Sequence, residues 1–232
     1  MKRMLAWLRQ TPTACDPRCA SLLPAAPLSE LPLARQRIVV VDLETSGLNL
    51  QRDQLLAIGA VVIENGAIDF SQQFECTLRR SGHCASASTL IHGIAPSAIA
   101  AGEEPDEALL AFMQFLGDSP LLAFHAAFDQ HMLARALKES LGYRLRHPFL
   151  DVADLAPLLC PQVNLRRAGL DDWLQHFQLQ ASERHHASAD ALATAELALI
   201  LFSKARQQGL DSLAVLHQRV QSRRRRQLAP SL

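Results

Sequence analysis

The segment RIVVVDLE, residues 37–44, constrains the fold more than any other part of the sequence. Its four consecutive β-branched residues, IVVV, are typical of a central strand that is buried on both faces. The segment LLAIGAVVIENGAIDFSQQFECTL follows at residues 55–78 and divides at Asn65-Gly66. Asn-Gly favours a tight hairpin because both positions of the turn need positive φ. We therefore expect three opening strands, the last two joined by this turn.

The rest of the chain alternates helices with two short strands. Strands are expected at PLLAFH (120–125) and FLD (149–151). Helical periodicity and glycine stop signals predict the helices. These are expected at about 105–117, 128–142, 152–159, 169–177, 187–207 and 211–222. The order predicts an α/β fold, with a mixed five-stranded sheet, antiparallel in part, flanked by helices on both sides.

Three parts of the 232-residue chain are expected from these patterns. Residues 1–36 are rich in proline, serine and alanine without a sustained period, which favours a mostly irregular extension. Residues 37–207 should form the main domain, and residues 208–232 a helix and a basic tail. No stretch approaches the roughly 18–20 apolar residues of a membrane span, and Arg9 interrupts the apolar start. Neither a membrane segment nor a signal peptide is expected, and five irregularly spaced cysteines favour a cytoplasmic protein with reduced thiols.

A formal net charge of zero conceals a strong asymmetry. Residues 1–37 carry six basic and two acidic side chains, and residues 219–232 carry five arginines and no acid. The middle, residues 38–218, has 12 basic and 21 acidic side chains, a net charge of −9. So acidic a domain binds nucleic acid poorly by itself. Either it does not bind nucleic acid, or metal ions and the basic tails supply the positive charge.

Four carboxylates stand at strand ends or helix starts. Asp42 and Glu44 occupy alternate positions at the end of the first strand, so both can face one spot. Asp129 falls in the first turn of a helix, and Asp190 in the first turn of another, behind His185-His186. Each is weak alone, because solvated acids and acids at helix starts are common.

Together the carboxylates carry more weight, because strand ends and helix starts converge in a mixed sheet. Carboxylate oxygens suit Mg²⁺ or Mn²⁺. Four unpaired carboxylates packed together would repel one another, so such a cluster implies cations. Two divalent ions about 3.5–4 Å apart are a standard device for phosphodiester cleavage, and a nearby histidine can act as general base on the attacking water.

At this point the chain resembles a known family. The segments VDLETSGL, FHAAFD and HHASAD have the order and rough spacing of the three motifs of the DEDDh 3′–5′ exonucleases. That family includes the proofreading epsilon subunit of bacterial DNA polymerase III, ribonuclease T and oligoribonuclease. The resemblance covers about residues 37–206. It implies an RNase H-like fold, two Mg²⁺ or Mn²⁺ ions, and release of 5′-mononucleotides from a 3′ end.

Residue roles carry over by motif position. The resemblance makes Asp42, Glu44, Asp129 and Asp190 the metal-binding carboxylates, and it makes His185 the general base of the pattern His-x-Ala-x-x-Asp. Thr45 and His92 are expected to contact the substrate, with a purely structural hydrogen bond as an equal alternative for His92. One departure stands in the second motif, where His125 replaces the usual asparagine, so the hydrogen bonds of that side chain must be made differently.

Which of the two adjacent histidines acts as the base depends on where the helix begins. On a helix that continued back through residue 186, His186 would share a face with Asp190, four residues later. The resemblance favours His185, which requires the helix to begin after it. Ser188 is a plausible N-cap that would allow this. We therefore predict His185 as the base and His186 as a neighbour facing solvent or the substrate backbone.

The function expected is a metal-dependent 3′–5′ exonuclease acting on single-stranded ends, with DNA slightly favoured over RNA. The alternatives are a ribonuclease of the ribonuclease T or oligoribonuclease type and, less favoured, a non-catalytic module that binds nucleic acid or a polymerase. A DNA polymerase or another replication or repair complex is a further expected partner. The arginines of residues 223–226 are expected to be flexible, and either hold anionic substrate or have no role.

Overall fold

The computed structural model describes residues 14–80, 88–165, 168–181 and 184–228. Its five strands are β1 (Ile38–Thr45), β2 (Leu55–Glu64), β3 (Ala67–Thr77), β4 (Leu121–Ala123) and β5 (Phe149–Asp151). The α-helices of the described residues are α1 (Thr89–His92), α2 (Pro96–Ala100), α3 (Pro105–Leu116), α4 (Ala126–Leu141), α5 (Val152–Leu159), α6 (Leu170–His176), α7 (Ala187–Gln207) and α8 (Leu213–Leu228). Among these residues, no helix is both long and apolar enough to cross a membrane.

The five strands form one mixed sheet in the order β3-β2-β1-β4-β5. Strands β1, β2 and β3 pair antiparallel, whereas β4 runs parallel to both β1 and β5. Strand β1 is therefore central. The predicted fold class is confirmed, including the hairpin at Asn65, whose φ of 53° is left-handed as the tight turn requires.

Helices cover both faces of the sheet, which explains why β1 is apolar throughout its first half. Ile38 and Val40 face a core formed with helices α5 to α8. Val39 and Val41 face a second core formed with α3 and α4. All four side chains are fully buried. A strand covered on both faces cannot alternate apolar and polar residues, because each side chain faces a core.

Two departures from the sequence prediction concern whole helices or helical turns. The short helices α1 and α2 lie in a segment for which no helix was predicted. Helix α8 ends at Leu228 rather than near residue 222, so the four arginines predicted to be flexible are helical. Arginine is a good helix former, and Leu213, Leu216 and Val220 anchor the helix by packing into the core shared with α5 and α7.

Residues 14–37 contain two short 3₁₀ turns, Pro17–Ser21 and Leu33–Arg35. Arg18 ties the first turn to α3 through Asp106 at 2.7 Å and Glu107 at 2.5 Å. Leu33, in the second turn, is buried in the core. The described part of this segment therefore lies against the main domain.

Candidate active site

The carboxyl end of β1 carries the first two acids of the site. Strand alternation turns Leu43 into the core with α3 and α4 and leaves Asp42 and Glu44 half-buried on the other face. Carboxylate oxygens of Asp42, Glu44 and Asp190 all lie within 4.8 Å of one another. The structure therefore brings together three of the four acids that the sequence analysis selected, from two separate segments.

Gly59 allows this approach. It pairs with Asp42 across the β1–β2 ladder, and a Cβ built on it would lie 2.1 Å from the backbone carbon of Ala187. Real Cβ atoms do not come so close to backbone, so only glycine lets the start of α7 rest on the sheet at this point. Asp190 lies in the first turn of α7 and is thereby placed beside Asp42.

Asp129 enters from α4. Helix α4 begins at Ala126, two residues earlier than predicted, and Asp129 is buried in its first turn. His125 precedes the helix in a left-handed conformation, with φ of 63°, and its backbone N–H donates to Asp151 Oδ1 at 2.9 Å. Asparagine, histidine and glycine tolerate this conformation better than most residues. A histidine can therefore replace the usual asparagine without changing the backbone.

Burial raises the pKa values of Asp42, Glu44 and Asp129, and repulsion from other acids adds to the shift at Asp42 and Asp129. Burial is the main reason that the pKa of Asp42 lies well above its ordinary value, and the charges of Asp129 and Glu44 add to the shift. Burial raises the pKa of Glu44 to about 7, partly opposed by the positive charge of Arg184. Burial, with repulsion from Asp151, raises the pKa of Asp129 to about 8, although backbone N–H groups oppose the shift. Without added positive charge, the acids cannot all be ionised at neutral pH.

The donor atoms of the site and its need for positive charge decide whether it fits a metal ion. The donors are hard carboxylate oxygens, which suit Mg²⁺ or Mn²⁺. Bound divalent cations would supply the positive charge that the buried acids lack. Asp42, Glu44 and Asp190 therefore form a donor set that suits a divalent ion, and Asp129 lies close enough for its charge to act on Asp42.

Arg184 supplies part of the missing charge from the chain itself. Its guanidinium forms an ion pair with Asp190 Oδ1, and its Nε donates to Asp171 Oδ1 at 2.5 Å. The side chain is only 21% exposed. Arg184 therefore holds Asp190 in place and occupies part of the region in which a cation would be stabilised.

His185 follows in a left-handed conformation, with φ of 67°. Its backbone N–H donates to Asp190 Oδ2 at 3.2 Å, while its side chain is exposed. The N-cap of α7 is His186, so the prediction that Ser188 is the N-cap was wrong. The helix does begin after His185, because the left-handed residue cannot continue it backwards. The imidazole of His185 therefore projects from a turn and not from the helix.

His186 has protein partners. Its Nε2 lies 3.5 Å from Glu75 Oε1 on β3, and its Nδ1 lies 3.0 Å from Ser188 Oγ. The side chain is about half-buried. His186 thus joins the start of α7 to the sheet.

A largely apolar pocket of about 350 Å³ opens beside Glu44. Leu48 and Phe128 line it, together with both residues predicted to contact substrate, Thr45 and His92. Thr45 is buried and donates from its hydroxyl to the Gly47 carbonyl at 2.8 Å. His92 is also buried, and its Nδ1 accepts from the Ile94 N–H at 3.0 Å. Thr45 and His92 therefore have structural bonds and also form walls of the pocket.

Sequence reasoning missed three residues that shape the site: Gly59, Arg184 and Asp151. Gly59 interrupts the apolar run of β2, and an isolated glycine in a strand signals a close backbone approach. Asp151 accepts the N–H groups of His125 at 2.9 Å and Ala153 at 3.0 Å, and so fixes the starts of α4 and α5. Its position at a strand end was a usable signal. No sequence pattern indicated a role for Arg184, because its pairing with Asp190 depends on the turn that precedes α7.

The sequence matches a known protein family. Residues 39–198 match the family model described as Exonuclease. The chain belongs to the exonuclease family. The resemblance drawn from the three motifs is thereby confirmed at family level, and assignment to the DEDDh branch stays a prediction.

Relatives of this exonuclease domain include much longer proteins. It is 31% identical over 170 residues to the DNA polymerase III PolC-type of Clostridium perfringens, covering 73% of this chain and 11% of that protein. It is 31% identical over 176 residues to the PolC-type polymerase III of Thermotoga maritima, covering 76% of this chain and 12% of that protein. The chain thus spans a small fraction of the length of these relatives.

Solved structures of exonuclease I share the fold. One matches with a TM-score of 0.65 and 16% identity over 75% of this chain and 42% of that one. Escherichia coli exonuclease I in complex with a dT13 oligonucleotide matches with a TM-score of 0.63 and 16% identity over the same shares. The fold is therefore RNase H-like, as the resemblance implied.

Proposed function

We propose that the protein is a metal-dependent 3′–5′ exonuclease of the DEDDh type that releases 5′-mononucleotides from single-stranded nucleic acid. The carrying observation is the approach of the Asp42, Glu44 and Asp190 carboxylates to within 4.8 Å of one another. Membership of the exonuclease family supports the reaction class. The direction of cleavage and the DEDDh branch rest on the three motifs.

Asp42, Glu44, Asp129 and Asp190 are proposed to hold two divalent cations, Mg²⁺ or Mn²⁺. Bound there, such ions would lower the pKa of an attacking water and stabilise the leaving oxygen. The protein supplies rigid donors, since two acids lie on β1 and two in the first turns of helices. It also excludes water from Asp129 and Asp190, which are only 5% and 6% exposed.

His185 is the proposed general base, accepting a proton from the attacking water. Its exposed imidazole stands on a turn, and its own backbone N–H is anchored to Asp190. A base held beside a metal-binding acid yet free to rotate can reach a water that arrives with substrate. His186 is less suited, because its ring nitrogens contact Glu75 and Ser188.

The pocket beside Glu44 is the proposed site of the terminal nucleotide. Its apolar lining suits the face of a base, and Thr45 and His92 stand at its wall. DNA is favoured over RNA as substrate, because the relatives described above are DNA polymerase III proteins and exonuclease I was solved with dT13. RNA remains the second candidate, as in ribonuclease T or oligoribonuclease.

The test is degradation of matched, 5′-labelled DNA and RNA strands with Mg²⁺, with Mn²⁺ and with excess chelator. We expect stepwise shortening from the 3′ end with either metal, none in chelator, and recovery when metal is restored. A strand with a blocked 3′ end is the control for direction. Robust cleavage in excess chelator would overturn the metal mechanism, and faster degradation of RNA would reverse the substrate preference.

A non-catalytic role in binding nucleic acid or a polymerase is the alternative. The complete set of four acids and a histidine argues against it, since a binding module has no need of them. Binding of the labelled strand without any shortening under both metals would favour it. Association with a DNA polymerase or another replication or repair complex is proposed only by analogy with the PolC-type relatives.

A further inference from the structure

Helix α8 runs toward the edge of the sheet that carries the active site. At its start, the N–H of Ala214 donates to Ser29 O at 3.2 Å, close to the chain that enters the amino end of β1. Near its end, Arg224 forms ion pairs with Asp151 and Asp154. Asp151 is the last residue of β5, which runs parallel to β1 through β4. The last turns of α8 therefore lie at the end of the sheet formed by the carboxyl ends of β1, β4 and β5.

Arg224 fixes the position of these turns. It follows Val220 by four residues, so it continues the stripe of α8 that packs on the core. Its guanidinium lies 3.7 Å from Asp151 Oδ2 and also pairs with Asp154, and both acids are at least two-thirds buried. A groove between α8 and the first turn of α4 is lined by Arg224, Gln130 and Ala126. The end of α8 is thus held beside the helix that carries Asp129.

The remaining arginines at this end of the helix are available to an anion. Arg225 and Arg226 are exposed and Arg223 is half-buried. Among the described residues, no acidic side chain pairs with any of these three, and Arg226 bonds only to the backbone oxygen of Ser222, at 3.3 Å. Residues 38–218 carry a net charge of −9, so they repel a polyanion. A strand held at the carboxylates needs cations along its path.

We infer that Arg223, Arg225 and Arg226 form a docking surface for the phosphate backbone of single-stranded nucleic acid whose 3′ end lies in the active site. This inference rests on the proposed function and extends it to the strand upstream of the cleaved nucleotide. The surface contacts phosphates and reads no bases, so it raises affinity without sequence preference. Because the helix is anchored at Arg224, the three charges are held at a fixed place and spread over the side of α8 that faces away from the Arg224 contact.

The test measures binding of a labelled 20-nucleotide dT strand across a series of salt concentrations, in chelator so that the strand stays intact. The triple variant Arg223→Gln/Arg225→Gln/Arg226→Gln should bind about tenfold or more weakly at low salt. The slope of log K against log salt should fall in magnitude by about 2, at roughly 0.7 for each lost phosphate contact. An unchanged slope in the triple variant overturns the docking surface.

Two matched controls sharpen the result. Arg35→Gln removes one exposed charge at the amino end of β1, the opposite edge, so it should change the slope less than Arg226→Gln. The triple lysine variant keeps the charge and should keep most of the slope. Equal effects of Arg35→Gln and Arg226→Gln, or a lysine variant as weak as the glutamine one, would contradict the inference. If the glutamine variant does not fold, these two arms decide.

Degradation of the same strand by the unaltered protein with Mg²⁺ separates the two proposals. If the strand is bound through the arginines but not shortened, the proposed function fails and the docking surface stands. If the strand is shortened and the triple variant keeps the full salt slope, only the docking surface fails.

Discussion

The starts of α4 and α7 share several features and differ in electrostatics. Each carries a buried aspartate in its first turn, Asp129 and Asp190. A left-handed histidine comes shortly before each: His125 is the N-cap of α4, and His185 directly precedes the N-cap of α7. At α4 the neighbouring charges are acidic, and burial with repulsion raises the pKa of Asp129 to about 8. At α7, Arg184 forms an ion pair with Asp190.

Because of this difference, we expect the two helix starts to have different roles in the site. The start of α4 is packed against β1 and β5 and presents an acid that needs an external cation to ionise. The start of α7 carries its own cation and an exposed imidazole on a turn. We therefore expect changes at the first region to act through metal binding, and changes at the second to act through proton transfer and competition with the metal.

The largest effect should come from removing an acid of β1, the strand against which α4 packs. Asp42→Ala should lower the rate of strand degradation by several orders of magnitude, because it removes a proposed metal ligand. The fold should be intact, because a buried carboxylate beside other acids destabilises the folded protein when it is ionised, and its removal relieves this repulsion. Thermal melts check the fold, and titration calorimetry with Mn²⁺ checks the metal. A variant with near-normal degradation would show that Asp42 is not a ligand.

The next effect separates the two histidines at α7. His185→Asn keeps a residue that tolerates the left-handed conformation and should lower turnover about 10²–10⁴-fold, the usual cost of losing a general base. Metal binding should be largely kept. His186→Asn, the matched control, should cost less than tenfold. The reverse order would mean that the base has been assigned to the wrong ring.

A smaller effect tests whether Arg184 competes with the metal. Arg184→Gln removes the positive charge paired with Asp190, so binding of Mn²⁺ without nucleic acid should tighten about three- to tenfold, as expected for an ion pair worth about 1 kcal/mol. Arg184→Lys is the control, because it keeps the charge and should leave the affinity close to its original value. Weaker Mn²⁺ binding in Arg184→Gln would mean that Arg184 supports the metal site by holding Asp190.

Sequence reasoning succeeded where one local pattern determined the result. The IVVV run and Asn65-Gly66 indicated the central strand and the hairpin, and the motifs indicated Asp42, Glu44 and Asp190, whose carboxylates lie close together. It failed where partners come from distant segments. Nothing near Gly59 in the sequence indicates that α7 would rest on it, and the helical state of the arginines after residue 222 depends on core packing by Leu213 and Val220. Such contacts exist only after the sheet has formed.

The smallest effect is expected at the other left-handed histidine. In His125→Asn, the residue at φ 63° becomes an asparagine, which adopts the left-handed conformation at least as readily as histidine does. The free energy of unfolding should therefore change by less than about 1 kcal/mol. The exposed ring packs edge-on against Phe124, at 4.8 Å between centroids, and little else of it is buried. His125→Ala should destabilise by about 1 kcal/mol, because alanine resists a left-handed backbone.

The same substitution to asparagine thus separates the two helix starts by function. His125→Asn should degrade strands within about threefold of the original rate, because the N–H that donates to Asp151 is retained and Asp129 keeps its place. His185→Asn should lose about 10²–10⁴-fold, because only there is the ring proposed to take a proton from the attacking water. Urea melts and rates measured on one DNA strand provide both comparisons. A loss at His125→Asn as large as that at His185→Asn would mean that the ring of His125 also takes part in the reaction, and the division between a metal-binding region and a proton-transfer region would fail.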